Sequence, residues 1–262
     1  MTTDAELLER LERGERVVDI ASASKTYQRL VSGLMLQFAD SELAGSAAYC
    51  ESVKFAPGLS ERIDVATIAR DKMVTARRTY ELISEFGINL EKYFSSHNWE
   101  ARVSRYTDLG YSRASADRRL NALMYPLEGF ADLAVFTYLM AAMTVVQLED
   151  FLDSSYEPWA KLCQAFLLQE TNHKELGRQF ILGLLTRQAA SRLSLQASLD
   201  YWHLRVAQSF GPDDSEGNEQ YRSFKLKARR NREARLHWQE EIASTLSELG
   251  LEVPDSRQSV GR

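Results

Sequence analysis

The chain has 262 residues, 44% of them hydrophobic and 26% charged, with a formal net charge of −5. Such a composition fills a sizeable core and argues against nucleic acid as a partner, because an acidic surface repels phosphate. The charged start, MTTDAELLERLERGERVVD, reads as neither a secretory signal nor a transit sequence. The most apolar stretch, FADLAVFTYLMAAMTVVQLEDF, is interrupted by polar residues and flanked by acids, which favours a buried helix over a membrane span. Cys50 and Cys163 sit in apolar helical patterns and read as buried free thiols of a cytoplasmic protein.

Only 13 glycines and 5 prolines are present, and they fall between periodic segments, so several long helices are expected. Residues 1–24 read as an N-terminal extension, 25–255 as one helical domain and 256–262 as a tail. The first long helix spans 25–54, with Leu30, Leu34, Phe38, Ala39 and Leu43 at helical spacing, and FAPGLS breaks it. A second covers 60–86, with Ser60 as its N-cap and Gly87 as its stop. Residues 88–120 read as short helices and irregular pieces, with INLEKYFSSHNW leaving apolar side chains exposed. The third helix, 122–152, is apolar all round and is therefore expected at the centre. A fourth spans 157–186 with Pro158 in its first turn, and a fifth spans 190–208. After the loop SFGPDDSEGN, a last, basic helix is expected over 219–249. Four long helices paired as hairpins form an antiparallel bundle, with the remaining helices packed outside it.

One motif carries chemistry. In QETNHKELG, Glu170 and His173 lie one helical turn apart on one face, where both can reach one metal ion. Di-iron bundles use two such pairs and a lone carboxylate from each of the other two helices. Pseudo-symmetry then asks for a lone acid about thirty residues before each pair. Glu42 supplies one acid, but the pair that should follow it reads KMVT, placing Lys72 and Thr75 in the two slots. Counting back from Glu170 lands on Ala141, with no acid within a turn.

These residues carry a resemblance to the catalytic-subunit family of the phenylacetyl-CoA ring epoxidase, the di-iron oxygenases of phenylacetic acid catabolism. The family's first-helix HSE is matched by DSE at 40–42, its DE-x-x-H by DKMVT at 71–75, and its EE-x-x-H by QETNH at 169–173. The likeness continues through YWHLRVAQSFGPDDSEGNEQYRSFKLKARRN to LGLEVPD, covering about residues 25 to 255. It implies an all-α, ferritin-like four-helix bundle with additional C-terminal helices. It also implies a metal site whose six ligand positions are Glu42, Lys72, Thr75, Ala141, Glu170 and His173, with Asp71 behind them holding a histidine.

Three of those six positions carry no ordinary ligand. Thr75 offers a hydroxyl, Ala141 no donor atom, and Lys72 an ammonium that ligates only after losing a proton. Beside Glu42 and Glu170 the ammonium is favoured, so Lys72 is expected to bridge the two carboxylates; the plainer alternative is a lysine reaching solvent. The expected cofactor is none, or a single Fe or Mn on Glu42, Glu170 and His173. The function implied is a non-catalytic scaffold or ligand-binding subunit. The alternative is an oxygenase with a reduced site acting on an acyl-CoA thioester or another small molecule. The partner expected is a second copy or a related bundle subunit, with no membrane and no nucleic acid. Lys225, Lys227 and Arg230 in the basic run would grip the phosphates of an acyl-CoA, or form a solvated helix face. His97, His203 and His237 have no ligand spacing and read as structural.

Overall fold

The computed structural model describes residues 2–112, 118–187 and 191–254; the expected tail, 256–262, lies outside them. Nine α-helices and no named strand occur among these residues, so the all-α expectation holds. Four long helices form the frame: α2 (Lys25–Ser52), α3 (Leu59–Ser84), α5 (Phe130–Phe151) and α6 (Glu157–Arg187). α2 packs along α3 and α5 along α6, while α3 meets α6 across the bundle. The additional helices α7 (Ser191–Ala207) and α9 (Asn231–Glu248) pack on α5, and α8 (Glu216–Ser223) lies between them in sequence.

Eighteen of the 22 residues of α5 are buried, which is what an all-round apolar helix requires in water. Its most apolar 18-residue window is long enough to cross a membrane, but 89% of it is covered by the protein itself. α5 starts at Phe130 rather than near 122. Pro126 and Gly129, the latter at φ 124°, keep residues 121–124 as a separate 3-10 turn.

The contact between α5 and α6 is made backbone to backbone at Gly177. A Cβ there would stand 2.5 Å from the Tyr138 nitrogen and 2.7 Å from its Cα. Gly177→Ala is therefore expected to cost about 1–3 kcal/mol through overpacking. Gly183→Ala, on the same helix with nothing within 4 Å, is expected to be neutral or stabilising. Urea midpoints of the two variants check this; equal midpoints contradict the close approach.

The N-terminal stretch folds onto the bundle. Thr3 and Glu6 form a capping box for α1 (Asp4–Glu12), whose Leu7 and Leu11 are buried. Val17 then pairs with the start of α6, accepting from the Glu157 nitrogen at 3.0 Å. Three further details depart from the sequence reading. α3 starts after Gly58 with no side-chain cap, so Ser60 is not its N-cap. Cys50 is exposed, whereas Cys163 is buried. In the INLEKYFSSHNW segment, α4 (Leu90–Ser95) and its flanks turn Ile88, Leu90 and Tyr93 onto the core, so the apolar exposure expected there is largely covered.

The basic helix expected over 219–249 is two helices with a loop between. Lys225 adopts φ 52°, a left-handed conformation that ends α8. Tertiary bonds hold the loop open: the Ser155 nitrogen donates to Lys225 O at 2.8 Å, and Asp150 Oδ1 accepts from the Ala228 and Arg229 nitrogens at 3.0 and 2.9 Å. Burial of Phe224 and Leu226 draws the same segment inward.

Candidate functional site

Glu42 on α2, Lys72 on α3 and Glu170 on α6 converge between the long helices. Lys72 Nζ donates to Glu42 Oε1 at 3.0 Å and to Glu170 Oε1 at 3.1 Å. Its side chain is 8% exposed and that of Glu170 is fully covered, so the bridge lies in the interior. His173 Nδ1 is 3.2 Å from the same Glu170 oxygen, and its Nε2 is 3.4 Å from Asp71 Oδ2. The second oxygens of Glu42 and Glu170 are buried without a partner.

Burial, with the neighbouring Glu170 carboxylate, raises Glu42 to about 7 in spite of Lys72. Burial also opposes ionisation of Glu170, but Lys72 and the His173 bond outweigh it and hold this carboxyl down at about 2. For Lys72 burial opposes the charge, and the carboxylates of Glu170 and Glu42 more than offset it, so the ammonium persists above the ordinary lysine range. Near neutrality the cluster thus carries a cation on Lys72, an anion on Glu170, and a proton poised on Glu42.

The other two positions stand apart from this chemistry. Thr75 is buried and its hydroxyl accepts from Gln169 Nε2 at 3.0 Å. Ala141 is buried mid-way along α5 and presents only a methyl group. Among the described residues, no group of three or more His, Cys, Asp and Glu side chains is arranged to hold a metal ion. An ammonium, an engaged hydroxyl and a methyl group do not fit a pair of metal ions.

A profile of the phenylacetic acid catabolic protein family matches residues 6–262. The chain belongs to that family. Over 133 residues it is 26% identical to one of the subunits of the 1,2-phenylacetyl-CoA epoxidase of Escherichia coli (strain K12), a match covering 50% of this chain and 43% of that protein. Less than half of that relative's length is therefore spanned.

Several residues shape the site without announcing themselves in a ligand motif. Gly45, three residues after Glu42, leaves room for the lysine stem: a Cβ there would be 3.2 Å from Lys72 Cδ. Tyr49, one further turn along α2, is pushed up to about 12 by burial. Asp40 is fully buried and accepts from the Tyr80 and Tyr93 hydroxyls and the Arg118 nitrogen, each at 2.7 Å, which ties the segment before α5 onto α2. The spacing of Asp40 and Glu42 puts them on different helix faces, which is the available sequence signal for separate roles.

Next to the cluster a cavity of about 290 Å³ opens, with Glu42, Gly45, Tyr49 and Lys72 in its wall. Leu34, Phe38, Met140, Met143 and Phe151 give it an apolar body, and the segment from Gln208 to Asn218 lines another side. Of the three cations expected to grip phosphates, only Lys227 lines it. Lys225 Nζ instead donates to Leu11 O at 2.9 Å, and Arg230 pairs with Glu219 at 3.2 Å. The loop between α8 and α9 sends these side chains in different directions, so they form no shared basic face. His203 is buried against the Trp238 ring, and burial lowers it to about 4, as suits a structural neutral histidine.

Proposed function

We propose that the chain is a non-catalytic, ligand-binding bundle subunit in which the Lys72 ammonium takes the place of the metal pair implied by the family resemblance. One observation carries the reading: the buried Nζ lies 3.0 and 3.1 Å from the two carboxylates that would otherwise bridge metal. A lysine held there by two acids loses its proton only at high cost, so it competes with any metal cation for the same oxygens. The adjoining cavity supports the binding of a small-molecule ligand.

Anaerobic reconstitution with Fe(II), followed by elemental analysis, tests this. Less than one iron per chain is the expected outcome. Two irons with an oxo-bridged absorption band after exposure to oxygen overturn it. A second reading, an oxygenase with a single Fe or Mn on Glu42, Glu170 and His173, draws on the unpartnered second oxygens of both glutamates. One tightly held metal per chain, together with displacement of Lys72, is the result that reading requires.

A further inference from the structure

Lys227 is a second buried cation in the same cavity, and nothing in the metal-site chemistry uses it. The side chain is 9% exposed, and Nζ donates to Gln147 Oε1 at 3.1 Å while standing 5.7 Å above the Phe151 ring. Among the described residues no carboxylate stands within ion-pair reach of it. Asp150, whose charge acts on it from farther off, turns Oδ1 to the backbone of Ala228 and Arg229, while its Oδ2 is buried without a hydrogen-bond partner. Burial therefore bears on this ammonium with little compensation and lowers its pKa, the reverse of what happens at Lys72. Asn218, in the same cavity wall, is 5% exposed and its Nδ2 has no hydrogen-bond partner. A buried cation with no carboxylate in ion-pair reach and a buried amide donor without an acceptor both cost stability. They share one remedy, a single anion.

The two cations stand at different levels. Tyr49, beside the Lys72 cluster, packs on the Phe136 ring, whereas Lys227 reaches Gln147 and Phe151 on the same helix. Eleven residues of α5 separate Phe136 from Gln147, roughly 16 Å at ~1.5 Å per residue. Met140, Met143 and Leu34 line the apolar space of the cavity.

We propose that this cavity binds a small monocarboxylate, its carboxylate held by Lys227 and Asn218 and its aryl or alkyl body lying among Leu34, Met140 and Met143. One cation and one amide donor match a single carboxylate and not a cluster of phosphates. The volume of about 290 Å³ lies at the small end of ligand pockets and suits a compact acid. The inference rests on the reading of the cavity as a place that binds without metal chemistry.

The test is calorimetric titration of the full chain with 3-phenylpropionate, with its neutral amide 3-phenylpropionamide, and with coenzyme A, each sample also analysed for metal. The acid is expected to bind at least about tenfold more tightly than the amide, and coenzyme A not to compete. Lys227→Met is expected to abolish that preference, and Asn218→Ala to reduce it. Equal binding of acid and amide, binding of neither, or a preference unchanged in Lys227→Met overturns the proposal; the acid–amide comparison in the unaltered chain needs no variant to fold. A preference for the acid in protein holding two irons would overturn the metal-free reading while leaving the carboxylate site standing. No preference in metal-free protein would overturn this site alone.

Discussion

Lys72→Met is expected to lower the folding stability by about 3–5 kcal/mol, the cost of removing one partner from a buried ionic cluster. Methionine fits the space of the lysine stem beside Gly45, so lost packing is a minor part of the change. What is lost is the cation between Glu42 and Glu170, whose inner oxygens are 3.0 and 3.1 Å from Nζ. Two carboxyls then share a water-poor site, and at least one must take up a proton. Adding Glu42→Gln and Glu170→Gln to the methionine variant is expected to restore part of the loss, because neutral amides remove the unpaired charge. Urea unfolding of the single and triple variants measures both effects. A loss below about 1 kcal/mol for Lys72→Met would mean that the bridge is worth no more than a surface pair.

The second large effect is a dependence on pH. Glu42 titrates at about 7 in the folded chain against an ordinary value of 4.5. A carboxyl raised on folding contributes its full stability below the unfolded value and loses it as pH rises through the folded value. At about 1.4 kcal/mol per pH unit the displacement corresponds to roughly 3.5 kcal/mol, and relaxation of the site reduces it to roughly 2–3. Wild-type protein is therefore expected to lose about that much stability between pH 5 and pH 8 relative to Glu42→Gln, which has no proton to lose. Neither of its partners interferes. Glu170, held down at about 2, loses its contribution only as pH falls from the ordinary carboxylate range through that value. Lys72, raised, loses its own only above the ordinary lysine range. His203, lowered to about 4 by burial, costs stability as pH falls below the ordinary histidine range, but it does so equally in both proteins and cancels in the difference. Parallel urea titrations at several pH values check this, and superimposable pH curves for the two proteins would contradict it.

Much of the architecture was legible in the chain because it follows from local rules. Long apolar periodicities, punctuated by FAPGLS and the loop SFGPDDSEGN, set the number of long helices and their pairing. The lysine in KMVT and the methyl group of Ala141 were equally visible, since a residue type at a counted position needs no coordinates. The helical reading of 219–249 failed at Lys225 because its left-handed turn is imposed from outside, by Ser155 and Asp150 in the α5–α6 region. No pattern within Phe224 to Arg230 encodes those partners.

Sequence alone thus determined the all-α class, the central place of α5, the family, and the identity of the groups available to the site. The tertiary structure decided which of those groups meet. It placed Lys72 between Glu42 and Glu170, which are 30 and 98 residues away from it along the chain, and it cleared space for the lysine stem at Gly45. It also separated Lys225 and Arg230 from Lys227 and turned only Lys227 inward to a cavity. The physical reason is the same in each case. Helix periodicity is written in neighbours three and four residues apart, whereas the charge state of a buried group depends on desolvation and on partners brought in from distant helices.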